Sequence, residues 1–257
     1  MLRLDAYNLK WIAIIGMTLN HAVFAMFEVL PTLLTFPLYA AGGLTFPILA
    51  FFVVEGYKHT SNIKKYILRL FVFGLISIPF HMLVFRSYMT NILFTIILSL
   101  IILILHDKIM SRLLFWVIFI FLLLVSVLLM MDWFLIGPIV VLLYYKIQNE
   151  NARRIVPSFV SGIFFLCFSL FGIFALTHQP EIVEMLGSDF FGDINYWYAS
   201  STFIIGCVAA GFLLKGYNGE RGKKMKWLFY AAYPIHLAVL GGIALALGLV
   251  DLSVFGL

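Results

Sequence analysis

Long apolar runs, broken at short intervals by clusters of charge, set the pattern of this 257-residue chain. A membrane-crossing helix needs roughly 20 predominantly apolar residues. Runs of that kind predict helices near 10–28, 33–55, 64–85, 89–106, 111–131, 133–147, 155–177, 198–215 and 226–250. The runs are continuous rather than alternating, which excludes a transmembrane barrel, and backbone groups in lipid must be paired internally. The expected fold class is therefore all-α, a polytopic helical membrane bundle of about nine transmembrane helices. The sixth run is short. The second contains Pro37, Gly42, Gly43 and Pro47, breakers that predict a kink or partial re-entry where backbone lines a protein-enclosed cavity.

Composition agrees, with 63% hydrophobic and 11% charged residues against roughly 25% charged in a soluble domain. The longest polar stretch, from His178 to Trp197, is too short to fold as a soluble domain, so residues 1–257 are expected to form a single integral-membrane domain. The N-terminal run lacks an A-x-A-like cleavage site, and the first helix is expected to remain in the mature protein. Cys167 and Cys207 lie in apolar runs, where thiols pack as small hydrophobes. Short loops rich in lysine and arginine stay in the cytoplasm. Nine spans place sixteen of the seventeen basic residues on one side, from Arg3 and Lys10 through Lys58, Lys64, Lys65 and Arg69 to Arg221 and Lys226, and leave only Arg86 opposite. The N-terminus is thus expected inside and the C-terminus outside. Membrane lipid is an expected partner, and nucleic acid is not.

Ionisable and amide side chains at bilayer depth are costly, so each is a candidate site. Lys10 and His21 stand eleven residues apart, which brings both close to one face of the first helix with an axial separation of roughly 16 Å. Asn20 stands beside the histidine. His236, in Tyr233-Pro234-Ile235-His236, reaches a similar depth in the last span. His81 follows Pro79 in the third span, and Asn91 and Thr95 enter the fourth one turn apart. His106 sits at the inner end of that span, as an interfacial group. These residues line one polar cavity, or each is an interhelical hydrogen-bond partner worth about 0.6 kcal/mol. Glu55 ends the second span as a solvated helix end or as the partner of a nearby lysine. The basic 58–69 segment follows from topology alone, and also suits a phosphate-bearing ligand. No metal site is read.

The run Gly43-Leu44-Thr45-Phe46-Pro47-Ile48-Leu49-Ala50-Phe51-Phe52-Val53-Val54-Glu55-Gly56-Tyr57-Lys58-His59-Thr60, continuing through Asn62-Ile63-Lys64-Lys65-Tyr66 to Ile78-Pro79-Phe80, resembles the signature of the TraX family. These are membrane proteins associated with N-terminal acetylation of conjugative pilin. Leu9-Lys10-Trp11-Ile12-Ala13 leading to His21, Asn91-Ile92-Leu93-Phe94-Thr95, and Lys226-Trp227-Leu228-Phe229-Tyr230 leading to His236 fit the family in order. The family is in turn similar to broader transmembrane acyltransferases, whose first helix carries a basic residue, ten intervening residues and a histidine, as Lys10 and His21 do. Two positions depart from that pattern. Asn20 stands where an acidic residue is expected, and Gly43 where an arginine precedes the Phe-Pro motif.

The resemblance implies an acetyl-CoA-dependent enzyme of the bacterial plasma membrane, acting on an amine or hydroxyl of a peptide such as pilin or of a glycan. Lys10 and Lys58 would hold the nucleotide phosphates, with Glu55 and Thr95 counted on the same donor side. His21 would be the general base, with His236 the second choice. Asn20, Asn91 or His81 would stabilise the oxyanion or fix the imidazole tautomer. Direct transfer and an acetyl-histidine intermediate both remain open. The competing class is a small-solute transporter with a polar midplane cavity and a broken helix, against which stand the absence of an internal repeat and of a midplane carboxylate. A third class is a non-catalytic membrane partner.

Overall fold

The computed structural model describes residues 3–87, 89–186 and 192–250. Twelve described helices follow in order: α1 (Ala6–Met26), α2 (Thr32–Gly42), α3 (Thr45–His59), α4 (Ile63–Phe85), α5 (Ile92–Lys108), α6 (Arg112–Leu128), α7 (Ile136–Lys146), α8 (Glu150–His178), α9 (Pro180–Leu186), α10 (Ile194–Ser201), α11 (Phe203–Lys215) and α12 (Lys226–Ala246). Two isolated bridges, Leu4 with Tyr217 and Thr90 with Met131, are the extended pairings among the described residues. Side-chain caps start six of these helices: Asp5, Asn62, Asn91, Ser111, Asn149 and Asp193 each accept a backbone N–H of the first turn that has no intrahelical partner.

Every predicted run falls on a helix or a broken helix pair. Six reach spanning length and hydropathy: α1, α2 with α3, α4, α8, α10 with α11, and α12. The remaining three, α5, α6 and α7, have 17, 17 and 11 residues. Even 17 residues give only about 26 Å of helix, less than the roughly 30 Å of bilayer hydrocarbon.

Contacts sort the loops into two ends. At one end Leu4 pairs with Tyr217, Arg69 bonds Tyr230, Arg153 meets Glu55 and Arg154 donates to the carbonyls of Lys215 and Tyr217. We call this the basic end. At the other, Arg86 pairs with Glu28 and Thr202 donates to the Phe36 carbonyl. Helix α1 runs between them, packed on α2, α3, α4 and α12.

The breakers of the second run act where the chain needs them. Helix α2 ends at Gly42 and α3 begins at Thr45. At the junction the backbone of α11 comes so close that a Cβ on Gly43 would lie 2.1 Å from the Phe203 carbonyl oxygen, and one on Gly206 would lie 1.9 Å from that of Ala40. Small residues allow such approach in membrane bundles. The arginine that the acyltransferase pattern carries at this position has no room here. Just beyond, Thr45 donates to the Ala13 carbonyl (3.1 Å) and Phe46, fully buried, stacks on Trp133 at 4.1 Å. The Thr-Phe-Pro segment thus anchors the start of α3 against α1, one turn from Asn20.

Candidate functional site

His21 and His236 meet in the bundle interior. Both are buried, their rings stack at 4.9 Å, and Nδ1 of His21 lies 2.7 Å from Nε2 of His236. The second nitrogen of His236, Nδ1, lies 2.8 Å from the carbonyl oxygen of Ala232. A carbonyl only accepts, so in the neutral pair His236 carries its proton on Nδ1 and offers a lone pair at Nε2. His21 must then donate from Nδ1, which leaves its own Nε2 unprotonated. That nitrogen makes no hydrogen bond to any described residue. In that neutral arrangement His21 presents an unprotonated Nε2.

Asn20 and a carboxylate that sequence reasoning overlooked surround this base. Asn20 is buried with no partner for its amide nitrogen among the described residues. A Cβ on Gly42 would lie 2.6 Å from its Cγ, so glycine there gives the amide room against α2. Asp132 lines two hollows together with Asn20 and His21. The expectation was that no carboxylate sits at the midplane; Asp132 comes from the turn between α6 and α7 and lines the same hollows as His21. The turn that carries Asp132 is strained and firmly held. Met130 and Trp133 sit in the left-handed region at φ 45° and 59°, a conformation that costs a non-glycine residue of order 1 kcal/mol and clusters at functional sites. The Asp132 N–H donates to the Thr90 carbonyl (2.8 Å), and its own carbonyl accepts from the Thr95 hydroxyl.

Three hollows converge on this point. A cavity of about 210 Å³ opens at the basic end, lined by Lys10, Arg221, Lys223 and Lys226 at its mouth and by Met17, Ile92 and Tyr233 inside. Lys10 Nζ lies over the rings of Phe52 and Phe229 at 5.0 and 5.4 Å. A small hollow of about 30 Å³, room for one water-sized group, adjoins it through Met17 and Ile92 and contains His21, Asn20 and Asp132. A second cavity of about 210 Å³, also lined by His21, is walled by aromatic rings, among them Phe24, Tyr39, Trp133, Phe165 and Tyr196. The small hollow thus shares Met17 and Ile92 with the basic cavity and His21 and Asn20 with the aromatic one.

The other sequence candidates take different places. His81 is buried with neither ring nitrogen partnered among the described residues. It stacks on Phe85 at 4.3 Å, and Phe85 in turn meets His21 edge-on at 5.0 Å, so His81 stands one ring behind the base. Asn91 caps α5 by accepting from Leu93 N–H and donates to the Gly74 carbonyl (2.9 Å), so both ends of its amide are engaged away from His21. Thr95 supports the Asp132 turn. Glu55 pairs with Arg153 rather than with a nearby lysine. Arg153 is itself buried, donating also to Glu150 (3.0 Å) and to the Tyr144 carbonyl (2.8 Å), a paired charge bonded at all three guanidinium nitrogens that ties α3 to α8. Lys58 is not with Lys10: it lines a separate hollow with His106, Arg112 and Lys146. Tyr196 walls the aromatic cavity, and its neighbour Trp197 is buried. Among the described residues, no group of three histidine, cysteine or acidic side chains is arranged to hold a metal ion.

Comparison with known proteins adds a name to this arrangement. A family model described as "TraX protein" matches residues 6–244. The chain is also 28% identical over 262 aligned residues to a protein of Dichelobacter nodosus named "Probable fimbrial assembly protein FimC, serogroup H1", covering 92% of this chain and 94% of that one. No solved structure matches.

Proposed function

The chain belongs to the TraX family, and from that premise and the histidine pair we propose that it is a membrane-bound acyltransferase, moving an acetyl group from cytoplasmic acetyl-CoA to an amine or hydroxyl on an extracytoplasmic or membrane-embedded acceptor. The observation that supports this reading is the His21–His236–Ala232 chain, which in its neutral form leaves His21 Nε2 unprotonated beside hollows that adjoin both large cavities. The pilin acetylation with which the family is associated supports a peptide acceptor, and the fimbrial name of the Dichelobacter protein points the same way. In this reading the bundle crosses the bilayer nine times with its basic end in the cytoplasm.

The donor's phosphates and the acceptor then need opposite environments, and the two large cavities offer them. Lys10, Arg221, Lys223 and Lys226 would bind the nucleotide's phosphates by charge-assisted bonds, while the apolar inner wall takes the pantetheine arm toward Met17. The acceptor enters through the aromatic cavity, where Asp132 accepts a hydrogen bond from its neutral amine or hydroxyl close to His21. As the acceptor nitrogen or oxygen attacks the thioester carbonyl, His21 Nε2 takes its proton, and the Asn20 amide donates to the developing oxyanion. Collapse breaks the C–S bond, and His21 returns the proton to the departing sulfur as free CoA. His236 stabilises the transient imidazolium through its lone pair, in the position that a carboxylate fills in a serine-protease triad.

Water in the aromatic cavity is a poor substitute acceptor, so slow CoA release should be detectable without the native one. Purified protein in detergent, given acetyl-CoA, should release CoA thiol steadily above a protein-free control. Folded protein that is saturated with acetyl-CoA, yet releases no CoA even when offered peptides with free N-termini and hydroxylated sugars, contradicts the proposal.

A further inference from the structure

We propose that the hollow at the basic end between α3, α5, α6 and α7 is a binding site for the headgroup of an anionic phospholipid, separate from the acetyl-CoA cavity. The hollow measures about 830 Å³. Lys58 reaches it from the end of α3, Arg112 from the start of α6 and Lys146 from the end of α7. None of these three cations has a carboxylate partner among the described residues. Two rest on aromatic walls, Lys58 over Tyr145 and Lys146 over Trp116, each at 5.8 Å. The neighbouring carboxylate, Asp107, is occupied by the hydroxyls of Tyr57 (2.7 Å) and Tyr145 (2.6 Å) and by His106 (3.3 Å). Retention of basic loops on the cytoplasmic side accounts for the presence of such charges. It does not account for their convergence, from three elements, on one aromatic-walled hollow.

The surroundings select a lipid over a soluble anion. Helix α6 packs chiefly on α5 and leaves an apolar face beside the hollow: Leu113, Val117, Ile120 and Leu124 are all exposed. Trp116 belongs both to the wall and to that exposed helix surface, at 44% exposure. A lipid would set its phosphate among the cations and lay its acyl chains along α6. Inorganic phosphate or a nucleotide would leave that face unused. Basic pockets between helices at the cytoplasmic side are suited to anionic headgroups.

The test is native mass spectrometry of the intact protein in neutral detergent, titrated with phosphatidylglycerol or with phosphatidylcholine of the same chains. One phosphatidylglycerol should bind with clear preference. Its affinity should fall about fivefold for each of Lys58→Gln, Arg112→Gln and Lys146→Gln, all at exposed positions where folding should survive. Acetyl-CoA and inorganic phosphate should not displace it. Equal binding of the two lipids, or a preference untouched by all three substitutions, overturns the proposal. Displacement by acetyl-CoA reassigns the hollow to the nucleotide, and displacement by inorganic phosphate alone reduces it to a simple anion site.

Discussion

His21→Ala protein should bind acetyl-CoA about as well as wild type while releasing CoA about 10²–10⁴-fold more slowly, the usual range for loss of a positioned general base. The split follows from geometry. His21 lines the small hollow and the aromatic cavity but not the basic cavity proposed for the donor's phosphates, so the substitution would remove the proposed proton acceptor without touching the phosphate contacts. A fall in binding equal to the fall in turnover would show instead that His21 holds the donor. Unchanged turnover in folded variant protein would remove it from the chemistry. The same experiment bears on the acetyl-histidine route, because rapid mixing of wild type with labelled acetyl-CoA should leave no acid-quenched protein label if transfer is direct.

The second large effect is expected at His236, which acts through its neighbour. His236→Leu removes the acceptor of the His21 Nδ1–H (2.7 Å), leaving that donor buried and unpaired at a cost of about 1–3 kcal/mol. The imidazole is then free to move its proton to Nε2, the tautomer that cannot act as a base. Turnover should fall about 10²–10⁴-fold, the range for loss of a correctly set general base, in the manner of a triad whose orienting group is lost. His236→Gln should recover much of this loss, since the glutamine carbonyl oxygen accepts a hydrogen bond as His236 Nε2 does but does not share the positive charge. A merely structural role for His236 would make Leu, which fills similar volume, at least as active as Gln. Measured CoA release by the two variants, with acetyl-CoA affinity and thermal stability followed in parallel, separates these cases.

The helical fold was legible because lipid leaves few alternatives, and continuous apolar runs mark the elements. Boundaries moved where polar residues extend a helix beyond its apolar run, as at Glu150–His178 around the expected 155–177. Lys10 and His21 were legible as a local spacing on one helix. Their separation into adjoining hollows, with Met17 between, was not. The tautomer relay joins residues 215 positions apart and leaves no trace in local pattern. Asp132 had a signal that went unused. It is the lone charge between Arg112 and Lys146, and its place at a span boundary reads as a solvated end until Thr90 and Thr95 are seen to fold the turn inward. It brings to the His21 hollows a carboxylate that the acyltransferase pattern carries at position 20, where this chain has asparagine. Glu55 and Lys58 look from sequence like parts of one donor site because they are neighbours. Helix geometry sends the first to Arg153 and the second to the α5–α7 hollow.

The most direct measurement of the central claim, that a nucleotide-linked donor reaches His21 from the basic end, is the affinity of purified, folded protein for acetyl-CoA. Wild type should bind it, and Lys10→Ala and Arg221→Gln should each weaken binding by about tenfold, the worth of a charge-assisted phosphate contact. His21→Ala and Lys58→Gln should leave it close to wild type. Failure of folded wild-type protein to bind acetyl-CoA at all would contradict the account and favour a solute transporter built around the same polar cavity.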